Sequence, residues 1–333
     1  MLTDRHGRIV TDLRISVTRR CNFRCVYCHD EGQGPVLRPT ARVPEEMTPE
    51  HVERIVRVGA GFDVRSVKFT GGEPLLRTDL VEIVERTRRH VEDVSLTTNG
   101  AFLADQAASL AAAGLRRINV SVDSLDPDEF RDLRKGHLEP VLDGIRAAIA
   151  AGLRPVKLNM VVMKRTLPRL PDMIRHIGAS EGALVLQLIE FMPEIIGHRD
   201  WMVDILEVKA ALESEAERVE VRSMHHRSIY HIHGAQVEVV DPVHNAEFCF
   251  NCRRVRVTHD GCLKGCLNRD DDHVSTAGLD DDGVREAFGK VVENRVPYYG
   301  VHVQDYPRRR PSSWPGSRES APSRSLAQGP AAP

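Results

Sequence analysis

Residues 12–28 have the sequence DLRISVTRRCNFRCVYC, in which an apolar strand pattern is followed at once by three cysteines. Cys21, Cys25 and Cys28 have the spacing C-x3-C-x2-C. Three thiolates this close in sequence can ligate three irons of a [4Fe–4S] cluster and leave the fourth iron open to a small molecule. Zinc fits three thiolates less well, because a structural zinc site normally has four ligands, although His29 could supply the fourth.

The composition indicates an ordinary globular protein. The 333 residues are 41% hydrophobic and 28% charged, with a net charge of −2, so no charge excess points to nucleic acid or to an anionic membrane. The first ten residues lack a secretory pattern, and apolar runs such as 158–163 are far shorter than the ~20 residues of a membrane span. The seven cysteines form two tight groups, which favours reduced, metal-ligating thiols in the cytoplasm over disulfides.

Strand and helix patterns alternate from residue 13 to about residue 192. Thr48 and Pro49 mark one helix start, as N-cap and first helical residue. Parallel strands need helical crossovers, so six such units predict an α/β fold, a partial (β/α)6 TIM-type barrel. The predicted strands cover residues 13–18, 64–69, 93–97, 117–122, 155–162 and 183–189.

The domain organisation is predicted in three parts. Residues 1–235 form the barrel domain, ending in a stretch from 199 that is expected to be helical and then irregular. A short strand over 236–240 opens a C-terminal auxiliary iron–sulfur cluster domain, residues 236–306. The tail, 307–333, is rich in Pro, Ser, Ala and Arg and is expected to be disordered.

Polar loops follow the predicted strands, and in barrels of this kind the loops at the carboxyl ends of the strands carry function. Gly-Gly and Asn-Gly are also common turn formers, so one such loop alone means little. Several of them converging with the cysteine triplet predict a functional site on one face. The motifs are TGGEP at 70–74, TTNG at 97–100, Ser121 with Asp123, Lys157, and EFM at 190–192.

A second cysteine set has the spacing Cys249-x2-Cys252-x13-Cys266, with Cys262 inside it as a fourth ligand or a spare thiol. The adjoining stretch 253–258, RRVRVT, has strand alternation that places Arg254 and Arg256 on the same face. Paired guanidiniums suit a triphosphate, and the competing interpretation is a solvated basic strand.

The triplet after the first strand and the GGEP motif at 71–74 resemble the radical S-adenosylmethionine (SAM) superfamily. The segments 12–18 and 115–123, together with the second cysteine set, are similar to the GTP 3′,8-cyclases of molybdenum cofactor biosynthesis, over about residues 7–300. That family uses three cysteines in the second set. The resemblance therefore favours the interpretation that Cys262 is a spare thiol and not a fourth ligand.

The resemblance implies two [4Fe–4S] clusters, SAM as cofactor and GTP as substrate. In the family, the open iron of the first cluster binds SAM, and reduction releases a 5′-deoxyadenosyl radical that takes hydrogen from C3′ of GTP. C3′ then attacks C8 of guanine, while the second cluster holds the base. A low-potential electron donor is expected as partner, with no nucleic acid and no membrane, and a homodimer is left open.

The resemblance also assigns individual residues. Cys21, Cys25 and Cys28 ligate the catalytic cluster, and Cys249, Cys252 and Cys266 ligate the second. Tyr27 could equally be a packing residue, and Met192 could be core filler. The SAM site is expected to contain Tyr27, Gly72, Ser121 and Met192. The GTP site is expected to contain Arg14, Lys68, Thr97, Lys157, Arg254 and Arg256.

Some positions depart from the family pattern. Lys68 replaces the usual Arg, Gln187 replaces another basic residue, and the printed sequence ends in Ala-Ala-Pro where the family has Gly-Gly. A radical SAM paralogue acting on another nucleotide or a peptide therefore stays open, as does a non-catalytic zinc or iron–sulfur protein. The histidines at 225, 226, 231 and 233 are expected to be surface residues rather than metal ligands.

Overall fold

The computed structural model describes residues 1–30, 37–38, 40–41, 46–193 and 197–299. Its strands belong to one sheet with the order β12-β11-β10-β1-β2-β3-β4-β5-β6-β9-β8-β7. The strands are β1 Asp12–Ser16, β2 Ser66–Thr70, β3 Asp93–Thr98, β4 Arg117–Ser121, β5 Val156–Val162, β6 Leu184–Glu190, β7 Arg218–Val221, β8 Ser228–Ile232, β9 Ala235–Val240, β10 Arg254–Val257, β11 Cys262–Lys264 and β12 Val274–Ser275. The helices are α1 Pro49–Ala60, α2 Leu80–Arg88, α3 Leu103–Ala112, α4 Pro127–Arg134, α5 Glu139–Ala150, α6 Leu170–Gly178, α7 Ile205–Glu215, α8 Ala246–Phe250 and α9 Asp281–Glu293.

Strands β1 to β6 are parallel neighbours in chain order, and helices α1 to α6 lie in the connections between them. In register, Leu13 pairs with Val67 and Ile118 with Val156. Within the described ranges β1 and β6 do not pair with each other, so the sheet is not closed. The predicted partial barrel of six units is confirmed.

Side-chain alternation explains why these strands position a site. In β2, Val67 and Phe69 are fully buried, while Lys68 on the opposite face lines a cavity. A buried valine or phenylalanine stabilises the fold by about 1.5–3 kcal/mol, so the register cannot slip without loss of this packing. The Thr48 hydroxyl accepts from the backbone N–H of His51, which confirms the predicted start of α1.

The C-terminal part of the chain extends both edges of the barrel sheet. Strand β9 pairs in parallel with β6, and β10 pairs in parallel with β1. The short strand predicted over 236–240 is therefore confirmed as β9. The division between domains at residue 235 stays a prediction, and the predicted tail, 307–333, lies outside the described residues.

The expectation of an irregular segment before residue 235 was wrong, because α7 is followed by the antiparallel hairpin β7–β8. Residues 218–221, RVEV, alternate like the strand at 254–257, and this signal was missed. All four residues of β7 are exposed, so the strand contributes no buried face, and a histidine interrupts the apolar residues of β8. Across the described ranges, no helix has both the length and the apolar character needed to cross a membrane.

Candidate active site

A cavity of about 460 Å³ lies inside the partial barrel and contains the predicted site residues. This volume is within the range of ligand pockets in proteins. Both cysteine sets contribute to its wall, as do the predicted contacts for SAM and for GTP. The predicted residues that line it are Arg14, Cys21, Cys25, Tyr27, Cys28, Lys68, Gly72, Thr97, Ser121, Lys157, Met192, Cys249, Cys252, Arg254, Arg256 and Cys266.

The first cysteine segment is held by the carboxyl end of α4. The backbone N–H of Arg24 donates to the carbonyl of Arg134 at 3.1 Å, and that of Val26 donates to the carbonyl of Leu133 at 2.9 Å. The buried Arg134 guanidinium donates to Asp123 at 3.0 Å and also to the hydroxyl of Tyr27. The segment between the cysteines is therefore fixed before any ligand binds.

A second set of contacts joins the GGEP loop to the loop after β3. The buried Glu73 carboxylate accepts from the Thr98 hydroxyl and from the Asn99 backbone N–H, each at 2.6 Å. The Asn99 side-chain amide donates to Asn22 at 2.7 Å and contacts Cys21 Sγ at 3.9 Å. Two loops that are common turn formers in sequence are thus coupled to the first cysteine.

The three thiols of the first set line the cavity and are the donor type that iron–sulfur clusters use. Burial raises the pKa of Cys21 and of Cys28 to about 12, and it also raises the pKa of Cys25. Neutral thiols are therefore favoured without a metal, and cluster binding has to displace their protons. The backbone N–H of Phe23 approaches Cys21 Sγ at 3.4 Å, a donor that stabilises a metal-bound thiolate.

The second cysteine set lies where α8 meets β10 and β11. The backbone N–H of Tyr299 donates to Cys249 Sγ at 3.3 Å, and the buried Arg295 donates to the carbonyl of Cys252 at 2.8 Å. Burial opposes ionisation of Cys252, but Arg295 and Arg254 outweigh it and lower the pKa of this thiol. Burial raises the pKa of Cys266 to about 11.

Cys262 differs from the other cysteines of its group. It lies in β11, where its Sγ contacts the Asp260 carboxylate at 3.8 Å, and it is not among the described residues that line the cavity. Its role as a spare thiol stays a prediction. Of the four histidines, His231 contacts Glu220, whereas His225 is buried against the ring of Phe248, contrary to the expected surface position.

A cationic surface faces the second cysteine set. Arg14 in β1 is in register with Arg256 in β10 and with Lys68 in β2, so three positive charges lie on adjacent strands. The Lys68 ammonium donates to the Asn119 side-chain oxygen at 2.8 Å. Burial and then the neighbouring Arg14 lower the pKa of Lys68 well below its usual value. Such crowding of half-buried cations is typical of an anion-binding site.

Two further cations of the cavity, Arg222 and Arg227, were missed by the sequence analysis and lie beside the predicted Lys157. Lys157 forms an ion pair with the buried Glu238, which Arg222 and Arg227 also contact at 3.2 and 3.1 Å. All three cations line the cavity. In the sequence, Arg222 and Arg227 are isolated charges in a stretch that was expected to be irregular. They come together at Glu238 only because β7 and β8 form a hairpin.

Comparison with known families agrees with this arrangement. Residues 15–177 match the family model described as Radical SAM superfamily, and residues 184–301 match the one described as Molybdenum Cofactor Synthesis C. The fold is also that of SuiB from Streptococcus suis bound to S-adenosylmethionine, with a TM-score of 0.62 and 13% identity over 90% of this chain and 78% of that one. The family model, with a fold that agrees with it, thus defines a radical SAM protein, a class that implies a [4Fe–4S] cluster and SAM.

Curated relatives narrow the class to a family. A probable GTP 3′,8-cyclase of Halobacterium salinarum is 46% identical, with 91% of each chain covered. One of Methanocella arvoryzae is 43% identical, with 90% of this chain and 95% of that protein covered. The chain belongs to the GTP 3′,8-cyclase family.

Proposed function

We propose that this protein is a GTP 3′,8-cyclase that joins C3′ to C8 of GTP in molybdenum cofactor biosynthesis. The observation that carries the proposal is one cavity that both cysteine sets line together with the cations Arg14, Lys68 and Arg256. Family membership supports the same conclusion.

Two [4Fe–4S] clusters are proposed, one on Cys21, Cys25 and Cys28, the other on the three cysteines of the C-terminal set. When bound, the first cluster and SAM supply the radical that takes hydrogen from the ribose. The protein's own part is to hold both ligands in a shared cavity and to exclude water. The second set consists of Cys249, Cys252 and Cys266.

The phosphate chain of GTP is proposed to lie against Arg14, Arg254 and Arg256. Guanidiniums donate paired hydrogen bonds to phosphate oxygens, and such charge-assisted bonds are the strong ones. Lys68 and Thr97 extend this surface. The Thr97 hydroxyl is buried without a hydrogen-bond partner among the described residues, as expected of a group that awaits a ligand.

The SAM site is proposed to use Tyr27, Gly72, Ser121 and Met192. Tyr27 lines the cavity while its hydroxyl is committed to Asp123, so only its ring is available for a ligand. Gly72 lies so near the first cysteine segment that a Cβ there would lie 2.3 Å from the carbonyl oxygen of Arg20. Only glycine fits this approach.

Substitution of Gly72 with alanine is expected to weaken SAM binding at least tenfold and to lower the free energy of unfolding by about 1–3 kcal/mol, the usual cost of overpacking. The added methyl must displace the backbone before Cys21. Binding of SAM to the anaerobically reconstituted protein measures the first effect, and denaturant unfolding measures the second.

Gly289→Ala is the matched control. Gly289 lies exposed in α9, where an added Cβ meets no heavy atom within 4 Å in the described part of the chain. This variant is expected to bind SAM like the wild type and to be slightly more stable, because alanine favours a helix over glycine by about 1 kcal/mol. Equal SAM affinity in both variants would contradict the role of Gly72.

Anaerobic turnover tests the function. The reconstituted protein, given SAM and a low-potential reductant, is expected to release 5′-deoxyadenosine and a cyclised nucleotide with GTP, and far less with ATP or with a peptide. Stimulation by another nucleotide or a peptide, without GTP, would assign the protein to the paralogue class. About eight irons per chain are expected, whereas a zinc protein would contain none.

A further inference from the structure

The loop between β7 and β8, residues 222–227, forms a wall of the cavity and contacts the second cysteine segment. Met224 Sδ lies 3.8 Å from a guanidinium nitrogen of Arg254. The backbone N–H of His225 donates to the carbonyl of Asn251 at 3.4 Å. Arg222, Met224, His225 and Arg227 all line the cavity. The loop therefore belongs to the site, although no sequence motif marks it.

This loop is held in an uncommon backbone conformation. His225 and His226 have φ values of +64° and +47°, in the left-handed region that residues with a side chain rarely adopt. The Asn245 side-chain amide donates to both of their carbonyls, at 3.2 and 3.1 Å. The His225 ring is stacked on Phe248 with ring centroids 4.0 Å apart. Strain supported in this way is typical of functional sites.

Arg227 is the last residue of this loop, and the loop conformation determines where its side chain lies. Its side chain is 8% exposed, and one of its terminal nitrogens lies 3.1 Å from the fully buried Glu238 carboxylate. Its Nε is buried and has no hydrogen-bond partner within the described ranges. A buried guanidinium N–H without an acceptor is costly unless a ligand completes it. Glu238 thus fixes the guanidinium while Nε stays available.

The surroundings of Arg227 identify the chemistry of that ligand. Burial lowers the pKa of Arg227, and the nearby cations Arg222 and Arg14 lower it further, while the carboxylates of Glu238 and Asp241 oppose this shift. The same charges affect His225, whose pKa is lowered by burial first and then by Arg254 and Arg227. Two buried carboxylates are shared among four cations, since Lys157, Arg222 and Arg227 contact Glu238 and Lys209 contacts Asp241. The positive charge exceeds the negative charge at this place, which favours an anion with several oxygens as the ligand.

We propose that Arg227 is a further substrate-binding residue, whose Nε donates to the phosphate chain of the nucleoside triphosphate and which Glu238 holds in position. This inference rests on the proposed function. It adds a residue from β7–β8 to a surface otherwise built from the barrel and from β10. The loop between β7 and β8 then binds the phosphates of the nucleotide and not its base.

Binding of GTP and of guanosine to the full-length, anaerobically reconstituted protein tests the proposal. In Arg227→Met the Kd for GTP is expected to rise at least about tenfold, the loss of one charge-assisted hydrogen bond, while the Kd for guanosine changes less than about twofold. Arg218→Met is the matched control, since it removes an equal charge from β7, where the Arg218 side chain is 64% exposed. It is expected to bind both ligands like the wild type.

The possible results distinguish a failure of the role of Arg227 from a failure of the proposed function. Unchanged GTP affinity in Arg227→Met, or equal weakening of GTP and guanosine, overturns the role of Arg227. If Arg227→Met does not fold by circular dichroism, Arg227→Lys decides, because it keeps the charge beside Glu238 but lacks the second donor. Selective weakening of GTP there supports the proposal, and unchanged GTP binding overturns it. A wild-type protein that binds no GTP overturns the proposed function itself.

Discussion

Replacement of Cys266 with serine is expected to remove about four irons per chain and to lower conversion of GTP at least about 100-fold. Cys266 lines the cavity together with Cys249 and Cys252. A serine at this position is a poor iron ligand, because its hydroxyl stays protonated. Loss of a direct ligand should exceed the 10- to 100-fold effects known for residues that support metal ligands. Uncoupled SAM cleavage is expected to persist, since the first cysteine set is untouched.

Cys262→Ser supplies the matched control four residues away. Its thiol contacts Asp260 in β11, and it is not among the cavity residues in the described part of the chain. We expect this variant to retain about eight irons and GTP conversion within about twofold of the wild type. Iron and sulfide analysis with product quantification measures both proteins. Iron loss in Cys262→Ser but not in Cys266→Ser would reverse the assignment of the two thiols.

Much of the barrel could be predicted because local patterns and tertiary packing agree. In β2, alternation of Val67, Lys68 and Phe69 puts apolar side chains towards the helices and the cation towards the cavity. The loop motifs then converge because the carboxyl ends of parallel strands meet on one face. The three cysteines of the first set could be predicted to form one ligand set from their spacing alone, because they lie within eight residues of each other.

The rest of the site depends on pairings between distant segments. Arg14 and Arg256 become neighbours only because β10 joins the edge of the barrel sheet at β1. Arg227 becomes part of the cavity only because β7 and β8 form a hairpin whose short loop lies against the second cysteine segment. Arg134 looks like an ordinary helical residue in sequence, and its contact with Tyr27 follows from the packing of α4 on the cysteine segment.

Simultaneous replacement of Arg254 and Arg256 with alanine is expected to raise the Kd for GTP by about 10²- to 10⁴-fold and to abolish measurable conversion at cellular substrate concentrations. Each charge-assisted hydrogen bond contributes about 1.5–3 kcal/mol, and the two side chains extend from the same face of β10 into the cavity. SAM cleavage without GTP should continue. Chromatographic measurement of 5′-deoxyadenosine and cyclised product distinguishes the two activities.

Arg253→Ala is the control for lost charge on the same segment. Its backbone carbonyl accepts from the N–H groups of Thr11 and Asp12, and Arg253 is not among the described residues around the cavity. This variant should bind GTP within about twofold of the wild type, because screened charge outside the cavity contributes little. If Arg253→Ala weakened GTP as much as the double variant, net charge would explain the effect. Because the double variant removes two charges and the control one, a loss of GTP affinity in Arg254→Ala/Arg256→Ala that exceeds twice the free-energy effect of Arg253→Ala supports contact with the phosphates.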